Sequence, residues 1–533
     1  MGRIEYGNGL YVGDVRNGMP HGRGVYTGRN GYREDGEFVN GELHGFAKVT
    51  YSNGAVYEGS FKNGHRHGKG TYLFADGGRY EGDFANGEIS GYGKRWYTTG
   101  RYEGYFVNGE RHGKGSFYYK NGDRYEGDWV EDYREGKGVN YLFDGGRYDG
   151  EFLFGYAHGK GVEITADGIR YEGDWLRGNR SGKGKLTYAD GESYEGDFFR
   201  GFSHGRGVYT HDDGRREEGG YIFNVFLRDA EHKTVKYTNG ATHEGYRRGG
   251  ACNGHGVYKT SKDKHYTGAF VNDKYYGVGV NVFSKKERYE GEYVDGKYHG
   301  YGVYYYPSGA KYAGDWIMGK QTGYGVYTWA DGDRHVGYFR DGHFHGYGRT
   351  YLKNGTVEKG IWKDGEYLGE PETRTYTYDK GEKYVGGAIG GRRNGNGVYT
   401  YANGDRYEGE YLDGVKNGSG VFRYADGRVF DGFFFDGYWN GYGVFAWPNG
   451  DRYRGEFKDG NREGIGSYTF ANGNFYCGTW VKGKRTGWGH FMWKNGDRYN
   501  GEFKDGKRHG LGEIIFASGR TQYGRFENDK FIG

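Results

Sequence analysis

From Tyr407 to Val429 the chain reads YEGEYLDGVKNGSGVFRYADGRV, and apolar and polar positions alternate through it in two runs. Numbered from 1 within this stretch, Tyr407, Gly409 and Tyr411 hold positions 1, 3 and 5, while Glu408 and Glu410 hold 2 and 4. A period of two with rings on one side predicts a half-buried strand. Asp413-Gly414 follows at positions 7 and 8, where another copy has Asn63-Gly64. Such pairs are the strongest short hairpin signal, because a type I′ turn needs positive φ at two successive residues. Positions 12 to 18, Gly-x-Gly-x-aromatic-x-aromatic, predict the return strand, and Asp426-Gly427 turns the chain into the next copy.

The stretch recurs 23 times, the last copy incomplete, with first positions running from Tyr11 to Gln522. The spacing is 23 residues except for one step of 22 (Tyr80 to Tyr102) and two of 26 (Glu217 to His243, Glu358 to Tyr384). Fixed self-similarity marks a repeat array in which each copy touches its neighbours. The expected fold is all-β, an elongated single-sheet antiparallel β-hairpin meander with about two strands per 23-residue repeat. The two 26-residue repeats lose Gly-x-Gly and predict bends at 217–242 and 358–383. They divide the array into 1–216 (repeats 1–9), 243–357 (repeats 11–15) and 384–533 (repeats 17–23).

A two-residue loop at positions 7 and 8 would set position 3 opposite 12, 2 opposite 13 and 1 opposite 14. Glycine then meets glycine, and the ring at position 1 lies beside a residue with no Cβ. The glycines are there to seat the rings. Positions 2 and 13 become cross-strand neighbours on the outer face, where opposite charges help by about 0.2–1 kcal/mol. The first repeats carry such pairs: Glu58 with Lys69, Glu103 with Lys114, Glu126 with Lys137, Asp149 with Lys160, Glu172 with Lys183 and Glu195 with Arg206. Later repeats replace position 13 with Tyr301, Tyr324, Tyr347, Tyr442, Ile465, Trp488 and Leu511. This stripe is the expected partner-binding ridge, since contiguous exposed apolar surface marks interaction sites.

YEGSFKNGHRHGKG from Tyr57 and YEGYFVNGERHGKG from Tyr102 resemble MORN repeats (membrane occupation and recognition nexus), and the likeness spans nearly the whole chain. The resemblance implies a β-hairpin scaffold of the repeats-only type that self-associates through its terminal repeats.

Composition narrows the chemistry. Glycine is 113 of 533 residues and aromatics are 19%, against 34% hydrophobics in all, too few aliphatics for an ordinary core and too many rings for disorder. A net charge of +4 gives no nucleic-acid footprint. Cys252 and Cys477 make no disulfide framework, and MGRIEYGNGL at the start has no apolar run, so a cytoplasmic protein is expected. Nine histidines share position 11, from His21 to His509, but lie about 10 Å apart in successive repeats, too far to share a metal. No nucleophile, base and orienter stand outside the repeat pattern. No catalytic residue, metal site or cofactor is expected.

The expected function is a non-catalytic spacer that organises protein assemblies of the cytoskeleton, of the cilium, flagellum or basal apparatus type. The alternative is a peripheral phosphoinositide or phospholipid binder using Lys69, Lys114, Lys137, Lys160, Lys183 and Arg206. Their acidic neighbours weigh against it, because a polybasic patch needs unpaired charge.

Overall fold

A computed structural model describes residues 2–75 and 77–533. Nearly every repeat gives two antiparallel strands, as in Val56–Lys62 and His65–Leu73. The meander is divided among three open sheets, of 21 strands (Gly2–Tyr6 to Val225–Phe226), 13 strands (Glu231–Lys236 to Glu366–Gly369) and 15 strands (Glu372–Thr377 to Lys530–Phe531). Each break falls inside a 26-residue repeat. The chain forms two compact units, the first up to Arg180 with Gly184–Ser193, the second Ser181–Lys183 with Tyr194–Gly533.

The hairpin turn has the expected geometry. Lys62 pairs with His65 across Asn63-Gly64, whose φ angles are +49° and +73°. The register beyond it differs from the expected one. Gly59 at position 3 faces Gly70 at position 14 and not Gly68 at position 12. The cause is a bulge in which Ser60 stands opposite the three residues between Arg66 and Gly70, with Gly68 left-handed at φ +68°. Only glycine takes that conformation without strain, so position 12 is a hinge in the strand and position 14 is the seat.

The seat works as inferred. A Cβ on Gly70 would lie 2.5 Å from the Tyr57 ring, and one on Gly115 would strike the Tyr102 ring. Tyr57 is fully buried and its hydroxyl donates to the carbonyl of Ser60 at 3.0 Å. Burial raises its pKa to about 12, so it stays a neutral donor. Where position 5 is aromatic, such a ring meets position 5 of its own repeat and of the next, edge to face. Tyr57 lies 5.1 Å from Phe61 and 4.9 Å from Phe84, and Tyr80 lies 5.2 Å from Phe84 and 5.3 Å from Phe106. Edge-to-face pairs add about 0.5–1.5 kcal/mol beyond burial. Within each unit this ladder is the core of a sheet one layer thick.

In three repeats of the second unit, histidine at position 11 ties neighbouring turns. The Nδ1 atoms of His204, His299 and His345 accept from the backbone N–H of Phe223, Met318 and Asp364 at 3.3–3.4 Å. Asn394 does the same for Asp413 at 2.8 Å.

Candidate interaction surfaces

The bulge decides what the outer face presents. Position 13 pairs with position 4 of the following repeat, so the expected partnerships of Glu58 with Lys69 and its equivalents do not form. Lys69 instead meets Asp83 at 2.7 Å, Lys114 meets Asp128 at 2.7 Å, and Lys160 meets Asp174 at 2.5 Å. In the second unit Lys183 meets Asp197 at 2.6 Å and Arg206 meets Glu218 at 3.0 Å. Lys137 stands opposite Glu151. Glu58 turns to Lys48 of the preceding repeat at 3.7 Å. Five of the six basic candidates are thus neutralised by a carboxylate of the next repeat, and each is worth little as a free cation.

In the first unit this face is open. Its floor is a row of facing glycines, Gly59 to Gly70 to Gly82 to Gly93 and onward. Phe46, Glu58, Lys69, Thr71, Arg79 and Glu81 wall a groove of about 600 Å³ over Gly59, Gly70 and Gly82. Rings interrupt the charged row: Phe46 is 61% exposed, and Tyr92 and Tyr105 pack edge to face at 5.4 Å.

In the second unit the part of this face that carries the stripe, from Tyr301 to Leu511, is covered from within the chain, which corrects the expectation of an exposed ridge. Tyr301, Tyr324 and Ile465 are buried, and Tyr347, Tyr442, Trp488 and Leu511 are partly buried. The stripe is split between two sheets whose outer faces pack together. Tyr338, beside Tyr324, meets Phe433 at 6.0 Å between ring centroids, Arg340 bonds Asp436 at 2.8 Å, and Lys363 bonds Asp413 at 2.8 Å. Ile465 and Trp488 join a second core built on Phe199, Phe202, Ile222, Phe223 and Leu227, with Tyr276 and Cys477 against it. Burial drives the Cys477 thiol above its ordinary range, so it stays protonated.

An ionic cluster sits beside this core. Arg200 binds Glu292 at 2.7 Å and also contacts Glu456, whose other oxygen lies 3.0 Å from His299 Nε2. Burial, and then Arg200, push the His299 pKa down to about 3. The neutral ring accepts from Met318 at Nδ1, which places its proton on Nε2 for donation to Glu456. Elsewhere in the second unit, buried Glu410 accepts from Ser419 at 3.0 Å and is pushed up to about 7 by burial. Among the described residues, no group of three or more His, Cys, Asp or Glu side chains is placed to hold a metal ion.

Sequence reasoning missed the residues that cover the stripe. Their signal was present in Tyr221–Leu227, YIFNVFL, an apolar run in the first long repeat that the repeat skeleton does not use. Position 4 also turns apolar at Tyr338, Ile361 and Phe433.

No curated protein matches the chain. Among solved structures, the TCP10 domain of Danio rerio CPAP is 14% identical, covering 37% of this chain and 93% of that one, at a TM-score of 0.23. The SAS-4 (dCPAP) TCP domain of Drosophila melanogaster, bound to a proline-rich motif of Ana2, is also 14% identical, covering 29% and 90%, at 0.19. Scores this low carry no argument. The family model for the MORN repeat matches 18 segments: nine between 11 and 214, three in 289–357 and six between 384 and 519, leaving both 215–288 and 358–383 unmatched. These matches take in well over half of the sequence, and the chain belongs to the MORN repeat family.

Proposed function

We propose that this chain is a non-catalytic scaffold that spaces and organises protein assemblies of the cytoskeleton, of the cilium, flagellum or basal apparatus type. MORN repeats serve scaffold, protein-interaction or membrane-interaction roles. The observation that supports the protein-organising reading is the neutralised outer face. Lys69, Lys114, Lys160, Lys183 and Arg206 each hold a carboxylate, so the face offers paired charge and rings, with little free positive charge for anionic lipid. Interfaces between proteins favour tyrosine and arginine in this way. The buried stripe fits the same reading, as a surface the chain uses to hold its own sheets. Among the described residues, no helix is long and apolar enough to cross a membrane.

Fractionation of detergent-extracted cells, run beside sedimentation with anionic vesicles, tests the proposal. The protein is expected in the insoluble cytoskeletal fraction and to leave vesicles unbound at physiological salt. Vesicle binding lost on substituting Lys69, Lys114 and Lys160 by Gln would favour the phospholipid reading. Self-association through the terminal repeats belongs to the same proposal, and a purely monomeric mass at micromolar concentration would remove it.

A further inference from the structure

The stretch that departs from the family pattern carries its own surface. In the repeats from His243 and Tyr266, the return strands Ala251–Ser261 and Lys274–Ser284 are 11 residues long, against nine in His65–Leu73. They end in two-residue tips, Lys262-Asp263 and Lys285-Lys286, where other repeats have Asn-Gly or Asp-Gly. Strands in this sheet are antiparallel and consecutive, so these tips and the turn after Lys236 project from one edge of the second unit. The edge gathers Lys236, Lys259, Lys262, Lys264, Lys285 and Lys286, all exposed. None of the six makes an ion pair among the described residues, in contrast to the paired ladder on the outer face. Asp263 shares the edge, and Glu287 is held by the Tyr304 hydroxyl at 2.7 Å.

Two further features select the partner. Successive tips are two strands apart, about 10 Å, which matches every third residue of an extended chain rising about 3.3 Å per residue. No large hydrophobic side chain is exposed between Ile164 and Met318, so the edge has nothing to insert below lipid headgroups. We propose that this edge binds an extended, carboxylate-rich segment of a partner protein. Flexible ammonium groups in single file suit a linear polyanion, and none of the planar arginine forks that read phosphate bidentately is free there. Arg288, next to the second tip, is spent on Glu290 at 2.6 Å and on the Tyr305 ring. The proposal deepens the scaffold reading and rests on it, supplying one attachment point.

The test is fluorescence anisotropy of a labelled oligoglutamate peptide with the full chain, at low and then rising salt. The expected result is saturable binding that weakens with salt and falls about tenfold or more in the variant Lys262→Gln, Lys264→Gln, Lys285→Gln, Lys286→Gln. Lys69→Gln with Lys114→Gln and Lys160→Gln should bind as wild type does. Equal affinity for wild type and the four-site variant would overturn the proposal. So would phosphatidylserine vesicles that sediment wild type but not that variant while the peptide stays unbound. Cytoskeletal fractionation of wild type, run in parallel, separates this failure from failure of the scaffold reading.

Discussion

A tyrosine lying on a bare glycine is the residue-scale event from which this protein is made. Gly70→Ala would drive a methyl group to 2.5 Å from the Tyr57 ring, and over-packing of this kind costs about 1–3 kcal/mol. Hydrogen exchange should show the strands around Tyr57 and Tyr72 opening while repeats several copies away stay protected. That pairing of glycine and ring was legible in the sequence, because an aromatic-x-Gly recurring in step with Gly-x-Gly has no other economical use. Buried titrating groups were not legible, since their environment depends on which faces meet. Glu410 illustrates the sign: its folded pKa, about 7, lies above the ordinary carboxylate value, so stability is present at low pH and is lost as pH rises through 7. Glu410→Gln should therefore raise the melting temperature at pH 8, with the gain fading toward pH 5. The histidines act oppositely. His204, His299 and His335, held near 3 by burial, cost stability as pH falls below about 6.5. Replacing His299 by Gln should soften that acid limb in a pH series of thermal melts.

At the scale of the hairpin, turn and bulge divide the work. Asn63-Gly64 fixes which strands pair, and the signal for it is local, which is why the hairpins were readable. The register was not, because Gly-x-Gly hides two different glycines. Gly68 bends the backbone at φ +68°, and Gly70 seats the ring at an ordinary φ. A sequence shows two identical letters. Alanine at the two sites should behave differently. Gly68→Ala meets no clash, with Ser60 in ordinary contact at 3.6 Å, and costs about 1–2 kcal/mol from left-handed backbone alone. Denaturant titrations of the two single variants in one background measure the difference. Removing the bulge at Gly68 would bring Lys69 opposite Glu58, so loss of the Lys69–Asp83 pair is the expected mark of a changed register.

At the scale of the whole chain, the two units use one repeat for different ends. The first keeps its outer face open, with its lysines and carboxylates interleaved across repeats. The second closes its outer face on itself, and the apolar stripe at position 13, read in the sequence as a docking ridge, is the material of that closure. A single sequence reveals that a face is apolar but not which distant segment covers it, and the pairing here joins residues as far apart as Phe199 and Ile465. Arg200 is the polar centre of the closure. Arg200→Gln would leave Glu292 and Glu456 buried without their cation, a loss of about 3–5 kcal/mol. Phe199–Leu227, Lys274–Ser284 and Asn461–Thr469 should then lose exchange protection together, with the strands near Tyr57 unchanged.

The closure itself is open to one direct measurement, hydroxyl-radical footprinting of the purified monomer read by mass spectrometry. Phe46, Phe143 and Tyr438, exposed by 61%, 74% and 62%, serve as internal references for free rings. Oxidation of Tyr301, Tyr324 and Ile465 far slower than these is the result expected. Oxidation of the three at the reference rate would mean that the stripe faces solvent, and the account of a chain that folds its outer face inward would be wrong.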